Sequence, residues 1–321
     1  LMQNFFAGVQ GVANVPADSA ARQQMINAAQ SMTNQFGSMS QHLTDLNSGV
    51  NQQIETNAEH INVFSDQIAS LNKQIALLSG AGDGQPPNDL LDQRDQLVND
   101  LSKLIGTKVV VQDGGQYNVF IGNGQTLVLG NVAYQLQAVT SAVDPSRKSI
   151  AVVGASGTSI ELKDSALTGG ALGGLLQFRT ETLVVAQNSI GRIAIALSDS
   201  FNAQHNLGVD LNGALGQDFF SQATPSTLPN ARNKGTLLLD ATFSNTAQLT
   251  ISDYTVEVNA GGNYVLTRLS DKQVLSPVGG YTNANFPLTF DGITLAQVAP
   301  VGAAQPGDSF LVQPTGSGAR D

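Results

Sequence analysis

Three histidines, His42, His60 and His205, give the chain its widest scope for metal binding or proton transfer. A helical metal site needs a second ligand one turn along the same face, and no His, Asp or Glu stands four residues from any of the three. They are expected to be surface or packing residues. The run Asp210-Leu211-Asn212-Gly213 matches the opening of a calcium loop, but the later oxygen positions and the distal Glu are missing, which leaves a solvated turn. Gly169-Gly170-Ala171-Leu172-Gly173-Gly174 precedes a helical stretch as a phosphate-binding loop would. It lacks the Lys-Ser/Thr ending and the strand-turn-helix setting, so its glycines are expected to let backbone approach backbone. There is no Gly-x-Ser-x-Gly elbow and no carboxylate pair in a pocket-forming stretch. The absence of Cys removes thiol nucleophiles, thiolate metal sites and disulfides. The sequence nominates no catalytic, cofactor-binding or metal-binding residue, and an enzyme is not expected.

Charged residues make up 12% of the 321 positions, about half the ordinary share, and Asn, Gln, Ser and Thr supply the polarity instead. Such a surface suits close packing against neighbours. The net charge of −10 argues against nucleic acid or an anionic membrane as partner, because both need a basic footprint. No window approaches the length of an apolar membrane span. The chain opens inside an apolar-periodic stretch, Leu1, Phe5, Val9 and Val12, with Leu and not Met first and without a basic n-region. It is read as a fragment whose N-terminus lies upstream.

The elements that must position everything else are helical. Met25, Ala29, Met32, Phe36, Met39, Leu43, Leu46, Val50, Ile54, Asn57, Ile61, Phe64, Ile68, Leu71, Ile75 and Leu78 recur at steps of four and three, with one stutter around Val50 and Ile54. This is a heptad seam, and a single rod from about Ala17 to Ser79 would be roughly 90 Å long. Asn57 interrupts it, either as a buried polar residue that fixes register or as a solvent-facing one rotated out by the stutter.

Before the rod, Leu1 to Asn14 forms a first helix ended by Pro16, and Asp18 or Ser19 caps the next. Gly80 to Pro87 is a loop. Asn88 is expected to cap a helix that Gly106 closes in the left-handed conformation. From about 107 to 165, β-rich runs separated by Asp113-Gly114-Gly115 and Gly122-Asn123-Gly124 form a small meander. A third long helix follows, with the seam Leu176, Leu183, Ala186, Ile190, Ile193, Leu197 and Phe201. The anticipated organisation is α+β and multidomain: an elongated helical bundle body over 1–222 carrying the meander, a linker at 223–234, an all-β outer domain at 235–315 and a flexible tail at 316–321.

The run Thr168-Gly169-Gly170-Ala171-Leu172-Gly173-Gly174-Leu175-Leu176-Gln177-Phe178-Arg179 is followed by Asn188, Gly191-Arg192, Phe201-Asn202, Gln204-His205, Gly208, Asp210, Gly213 and Phe219-Phe220. Together with Pro87-Asn88-Asp89-Leu90-Leu91-Asp92-Gln93-Arg94-Asp95 and Gly307-Asp308-Ser309-Phe310-Leu311-Val312-Gln313-Pro314, it closely resembles the flagellar hook-associated protein 1 family. The likeness spans essentially the whole chain. It implies a non-enzymatic structural component of the extracellular bacterial flagellum that joins hook to filament. It also implies hook protein, hook-associated protein 3 and neighbouring copies of itself as partners. Passage through the flagellar export apparatus without a cleaved signal peptide follows too, with an export chaperone that contacts a terminal region outside this sequence. A related axial protein of the flagellin or hook-associated protein 3 type stands as the alternative, as does a secreted adhesin or translocator-tip protein.

Overall fold

The computed structural model describes residues 2–81, 87–112, 114–154, 157–210 and 212–320. Asp113, Leu211 and most of the loop after Gly80 lie outside these residues, as do Leu1 and Asp321. Helix α1 (Met2–Asn14) precedes Pro16, and α2 (Ser19–Ala81) begins where the Asp18 carboxylate accepts a hydrogen bond from the Ala20 amide at 2.8 Å. Helix α3 is Asn88–Leu104. Contacts divide the chain into two compact units, Leu46–Thr182 and Leu1–Asp45 with Leu183–Asp321.

In the unit Leu46–Thr182, two antiparallel sheets follow α3. Strands β1 (Thr107–Val111), β2 (Tyr117–Ile121), β3 (Gln125–Leu129) and β4 (Val132–Ala133) form the first in sequence order. Strands β5 (Gln135–Thr140), β6 (Lys148–Val153) and β7 (Ser159–Glu161) form the second, so the anticipated meander is two sheets. Their inner faces share one core with α2, α3 and α4 (Gly170–Phe178), including Ile54, Ile61, Ile68, Leu101, Val119, Leu127, Ile150 and Leu172.

The buried line of α2 is Val50, Ile54, Ala58, Ile61, Ser65, Ile68, Asn72 and Ile75. The two successive steps of four fall at Val50, Ile54 and Ala58, one step beyond the Leu46, Val50 and Ile54 that the spacing gives, because Leu46 is exposed and the seam takes Ala58 rather than Asn57. Asn57 is half-exposed and donates to the Gln53 carbonyl at 2.8 Å. Val and Ile share this line with the small or hydrogen-bonding residues Ala58, Ser65 and Asn72, and asparagines on and beside it reach strand backbone. Asn62 both donates to the Leu136 carbonyl (2.8 Å) and accepts from the Leu136 amide (2.7 Å). Asn72 does the same to Tyr117 (2.8 and 3.1 Å), and Asn51 accepts from the Lys148 amide at 2.9 Å. Asparagines about three helical turns apart thus fasten the helix to both sheets.

Two expectations at helix ends are corrected. Asn88 is the first helical residue after Pro87 and makes no capping bond. Gly106 is not left-handed: it is required because an added Cβ would lie 2.4 Å from the Thr168 carbonyl oxygen, to which its own amide donates at 3.1 Å. The steric reading of Gly169 to Gly174 is what the backbone displays. Gly170 has φ +61°, and a Cβ there would meet the Ile105 nitrogen at 2.4 Å.

In the unit Leu1–Asp45 with Leu183–Asp321, α5 (Val184–His205) follows a π-helical turn at Arg179–Leu183, which interrupts the third helix anticipated as continuous. Strands β8 (Ser226–Pro229), β9 (Leu239–Phe243), β10 (Tyr254–Val258), β11 (Tyr264–Arg268), β12 (Gln273–Val274), β13 (Leu288–Phe290), β14 (Ile293–Gln297) and β15 (Ser309–Gln313) make two sheets, ordered β12-β11-β10-β15-β8 and β13-β14-β9. Alternating residues of both, such as Val256, Leu266, Phe310 and Leu295, share one core. Asp291-Gly292 forms the β13–β14 hairpin with φ +41° and +80°, as its sequence predicts.

The stretch anticipated as a linker at 223–234 contains β8, which pairs with β15. Pro229 is tolerated there because β8 is an edge strand. The tail at 316–321 is packed over its described residues: Ala319 is buried, and Gly318 lies against Gly191, where a Cβ would meet the Gly191 carbonyl oxygen at 2.6 Å. The β-rich segment from 235 to 315 also draws on α5. Ile195 sits in its core, and Asn188 donates to the Ile251 carbonyl (3.1 Å) and the Asp253 carboxylate (2.9 Å).

Candidate functional site

The chemistry-bearing residues named by the sequence do not converge. His42 and His60 are exposed on α2, and His205 ends α5. The described residues contain no group of three or more His, Cys, Asp or Glu arranged to hold a metal ion. None of their helices is long and apolar enough to cross a membrane. The Asp210 carboxylate closes a turn by accepting from the Asn212 and Ala214 amides, each at 2.8 Å. Those two bonds, from Ala214 foremost, hold its carboxyl below the usual range.

What converges is aromatic. Phe5 of α1 lies 5.1 Å from Phe201 of α5 and 5.5 Å from Phe220, while Phe219 and Phe220 meet edge to face at 4.9 Å. His205 stacks on Phe201 at 6.0 Å, and its Nδ1 lies 2.5 Å from the Gln217 carbonyl oxygen. The cluster is locked by Asn202, a buried residue of α5. Its Oδ1 accepts from the amides of Phe219 and Phe220, both at 2.9 Å, and its Nδ2 donates to the Phe220 carbonyl at 2.7 Å. One helical amide therefore satisfies three backbone groups of an irregular segment and pins two aromatic rings against α1 and α2.

Apolar surface flanks this cluster. A groove of about 590 Å³ is lined by Ile26, Ala29, Gln30, Thr33, Phe219 and Phe220. A second, of about 250 Å³, runs past Met32, Phe36, Leu197 and Ala319. No charged side chain lines either one. Such walls can bury apolar surface of another segment, and their hydroxyls, Thr33, Ser198 and Ser221, have no His, Asp or Glu beside them in the lining to act as a base.

The other residues that carry the resemblance are fasteners. Gly191 admits the Thr315 carbonyl, which would lie 1.7 Å from an added Cβ. Arg94 is buried, donates to Asn72 (2.9 Å) and the Gly115 carbonyl (2.8 Å), and stacks over Tyr117 at 3.5 Å. Arg179 is buried between the Lys148 carbonyl (2.7 Å) and Asp164 (2.8 Å). Asp308 is buried and accepts from the amides of Lys234 (2.7 Å), Gly235 (3.0 Å) and Gln305 (2.8 Å). Burial opposes its ionisation, yet those amides and the Lys234 charge outweigh it and hold its carboxyl below the usual range.

Sequence reasoning missed the exposed aliphatic residues between α5 and the Phe219-Phe220 segment. Leu207, Val209 and Leu215 sit among Gly and Asn, with no periodicity to mark them.

Residues 1–220 match the family described as flagellar hook-associated protein FlgK helical domain, and residues 228–314 match the flagellar hook-associated protein 1 D2-like domain. The chain is 39% identical over 313 residues to flagellar hook-associated protein 1 of Escherichia coli K12, and 40% identical over 314 residues to that of Salmonella typhimurium LT2. Each alignment covers 98% of this chain and 56% of the relative, so the chain spans little more than half the length of these curated relatives. The flagellar hook junction protein FlgK of Burkholderia pseudomallei superposes with a TM-score of 0.90 at 39% identity, over 99% of this chain and 57% of that one.

Proposed function

Given that the chain belongs to the flagellar hook-associated protein 1 family, we propose that it is part of a structural subunit that joins the flagellar hook to the filament. The observation that carries this reading is the superposition on a hook junction protein along virtually the whole chain. The local chemistry supports it: the motif residues are spent on fastening backbone, and the grooves are uncharged. Hook protein, hook-associated protein 3 and further copies of the subunit are its partners. Export proceeds through the flagellar apparatus, with a chaperone engaging a region outside this chain. The α1, α2 and α5 segments carry assembly contacts, and the strands of 235–315 face outward. No step of this role requires catalysis.

Deletion of the gene tests the reading. Cells without it should build hooks that carry no filament and release filament protein into the medium, and plasmid-borne protein should restore attachment. Attached filaments in the deletion strain would refute it.

A further inference from the structure

The helical run made of α4, the π-helical turn and α5 holds one residue more than its buried line uses. The early buried positions, Leu172, Leu176, Arg179 and Leu183, advance by steps of four, three and four. The later ones, Asn188, Gly191, Ile195, Ser198 and Asn202, advance by three, four, three and four. From Leu183 to Asn188 the step is five, and the π-helical turn Arg179–Leu183 stands directly before it. In an unbroken α-helix, at about 100° per residue, the five later positions would lie about 80–160° round from Leu172. Counting one residue fewer brings all of them within about 60° of it. A π turn has that effect, because its wider loop takes up an extra residue without advancing the phase of the helix.

The extra residue cannot be expelled by rotation, because the helix is fastened on both sides of it. Before it, Arg179 is buried and donates to the Lys148 carbonyl at 2.7 Å and the Asp164 carboxylate at 2.8 Å. After it, Asn188 donates to the Ile251 carbonyl at 3.1 Å and the Asp253 carboxylate at 2.9 Å. If the turn tightened to α-helix with every residue kept, Ile190 would take the place of Gly191 against the Thr315 carbonyl oxygen, where even a Cβ would lie 1.7 Å away. The residues inside the turn are held more weakly. Thr180, Glu181 and Thr182 are exposed, and Glu181 accepts from the Gln177 amide at 2.9 Å within the same helix. The Thr180 hydroxyl donates to the Leu176 carbonyl at 2.7 Å, a side-chain bond of the kind that competes with the backbone ladder. The branched Cβ of Thr also disfavours helix at 180 and 182.

We propose that the π-helical turn Arg179–Leu183 is an opening point built into the helix: one surplus residue, trapped between Arg179 and Asn188, lets this stretch unfold and close locally while α4 and α5 stay formed. The buried line does not require that residue. Removing it restores a continuous α-helical ladder and leaves Asn188, Gly191 and Ile195 on the face they occupy now. A segment that would be firmer with one residue fewer belongs to the low-stability end of the molecule, where local opening precedes global unfolding.

Amide hydrogen exchange on the complete protein, read by mass spectrometry on short peptides, tests this together with thermal unfolding. In the parent, amides of 180–184 should exchange about tenfold or more faster than those of 195–202. A variant lacking Glu181 should slow exchange over that stretch by about tenfold, with a Tm equal to the parent's or higher. Glu181→Ala, which keeps the length, should leave the stretch as fast as in the parent. An Ala inserted after Glu181 adds a second surplus residue and should lower the Tm by about 5 °C or more. Slow exchange over 180–184 in the parent would overturn the proposal, as would equal slowing by Glu181→Ala or a Tm unchanged by the insertion. If the variant lacking Glu181 melts lower or fails to fold, one lacking Thr180 repeats the test. Loss of stability in both would overturn the proposal, since no residue of the turn would then be surplus.

Discussion

Two glycines in helices make opposite demands on an added methyl group. Gly37, in α2, has no atom within 4 Å of an ideal Cβ, whereas a Cβ on Gly191, in α5, would lie 1.7 Å from the Thr315 carbonyl oxygen and 2.8 Å from its carbon. Both substitutions to Ala gain about 1 kcal/mol of helix propensity, because Gly loses more backbone freedom on folding. For Gly37→Ala nothing offsets this gain, so the purified protein should be stabilised by about 0.5–1 kcal/mol. For Gly191→Ala the 316–320 turn must move away from α5, and overpacking against backbone costs about 3 kcal/mol or more. The net loss is about 2–4 kcal/mol, or a Tm lowered by roughly 5–15 °C. Thermal unfolding followed by circular dichroism at 222 nm, a helical band, compares the two. A Gly191→Ala protein as stable as the parent would refute the packing of the 316–320 segment on α5, and a destabilised Gly37→Ala protein would refute the open surface at α2.

Asn202→Leu strands three backbone groups of Phe219 and Phe220 and should cost about 3 kcal/mol at about 1 kcal/mol each, read as a lowered urea midpoint. Ile195→Ala removes a side chain from the strand core and should cost about 2–4 kcal/mol. If it melts strands and helix together in one transition, α5 and the sheets unfold as one unit. Asn57→Leu should change stability by less than about 0.5 kcal/mol, since Ala58 holds the buried position and Asn57 is half-exposed. The Asp308 carboxyl has a lower pKa folded than unfolded, so its contribution is fully present above the unfolded value near about 4 and is lost as pH falls through the folded one. Asp308→Asn should therefore be less stable than the parent at neutral pH, with the gap narrowing in acid. A gap that is unchanged down to about pH 2 would contradict this.

Periodicity made the long elements legible. The heptad steps identify α2, and the Pro16 and Gly80 punctuation ends it within two residues of the observed bounds. The Gly-rich turns Asp113-Gly114-Gly115 and Gly122-Asn123-Gly124 bracket β2, Tyr117–Ile121, closely. What periodicity could not register is where another backbone comes near. Ala58 and Ser65 displace Asn57 and Phe64 from the seam because the sheets lie close to that line, a fact of tertiary packing. Ser226–Pro229 carries Pro and looks like a linker, yet an edge position beside β15 tolerates it. The aromatic cluster joins Phe5 to Phe219 and Phe220 from opposite ends of the helical sequence, and the deciding Asn202 looks like any polar residue of a helix. The resemblance marked these residues without saying what they do. The structure assigns them to fastening backbone.

The central claim is that the complete protein is a permanent part of the junction between hook and filament. A short epitope inserted at the exposed Val278 loop, followed by gold-labelled antibody and electron microscopy of intact flagella, locates it directly. The account predicts gold confined to a narrow band at the hook–filament boundary of each flagellum. Gold distributed along the filament, or absent from that boundary while the tagged protein is exported, would contradict it.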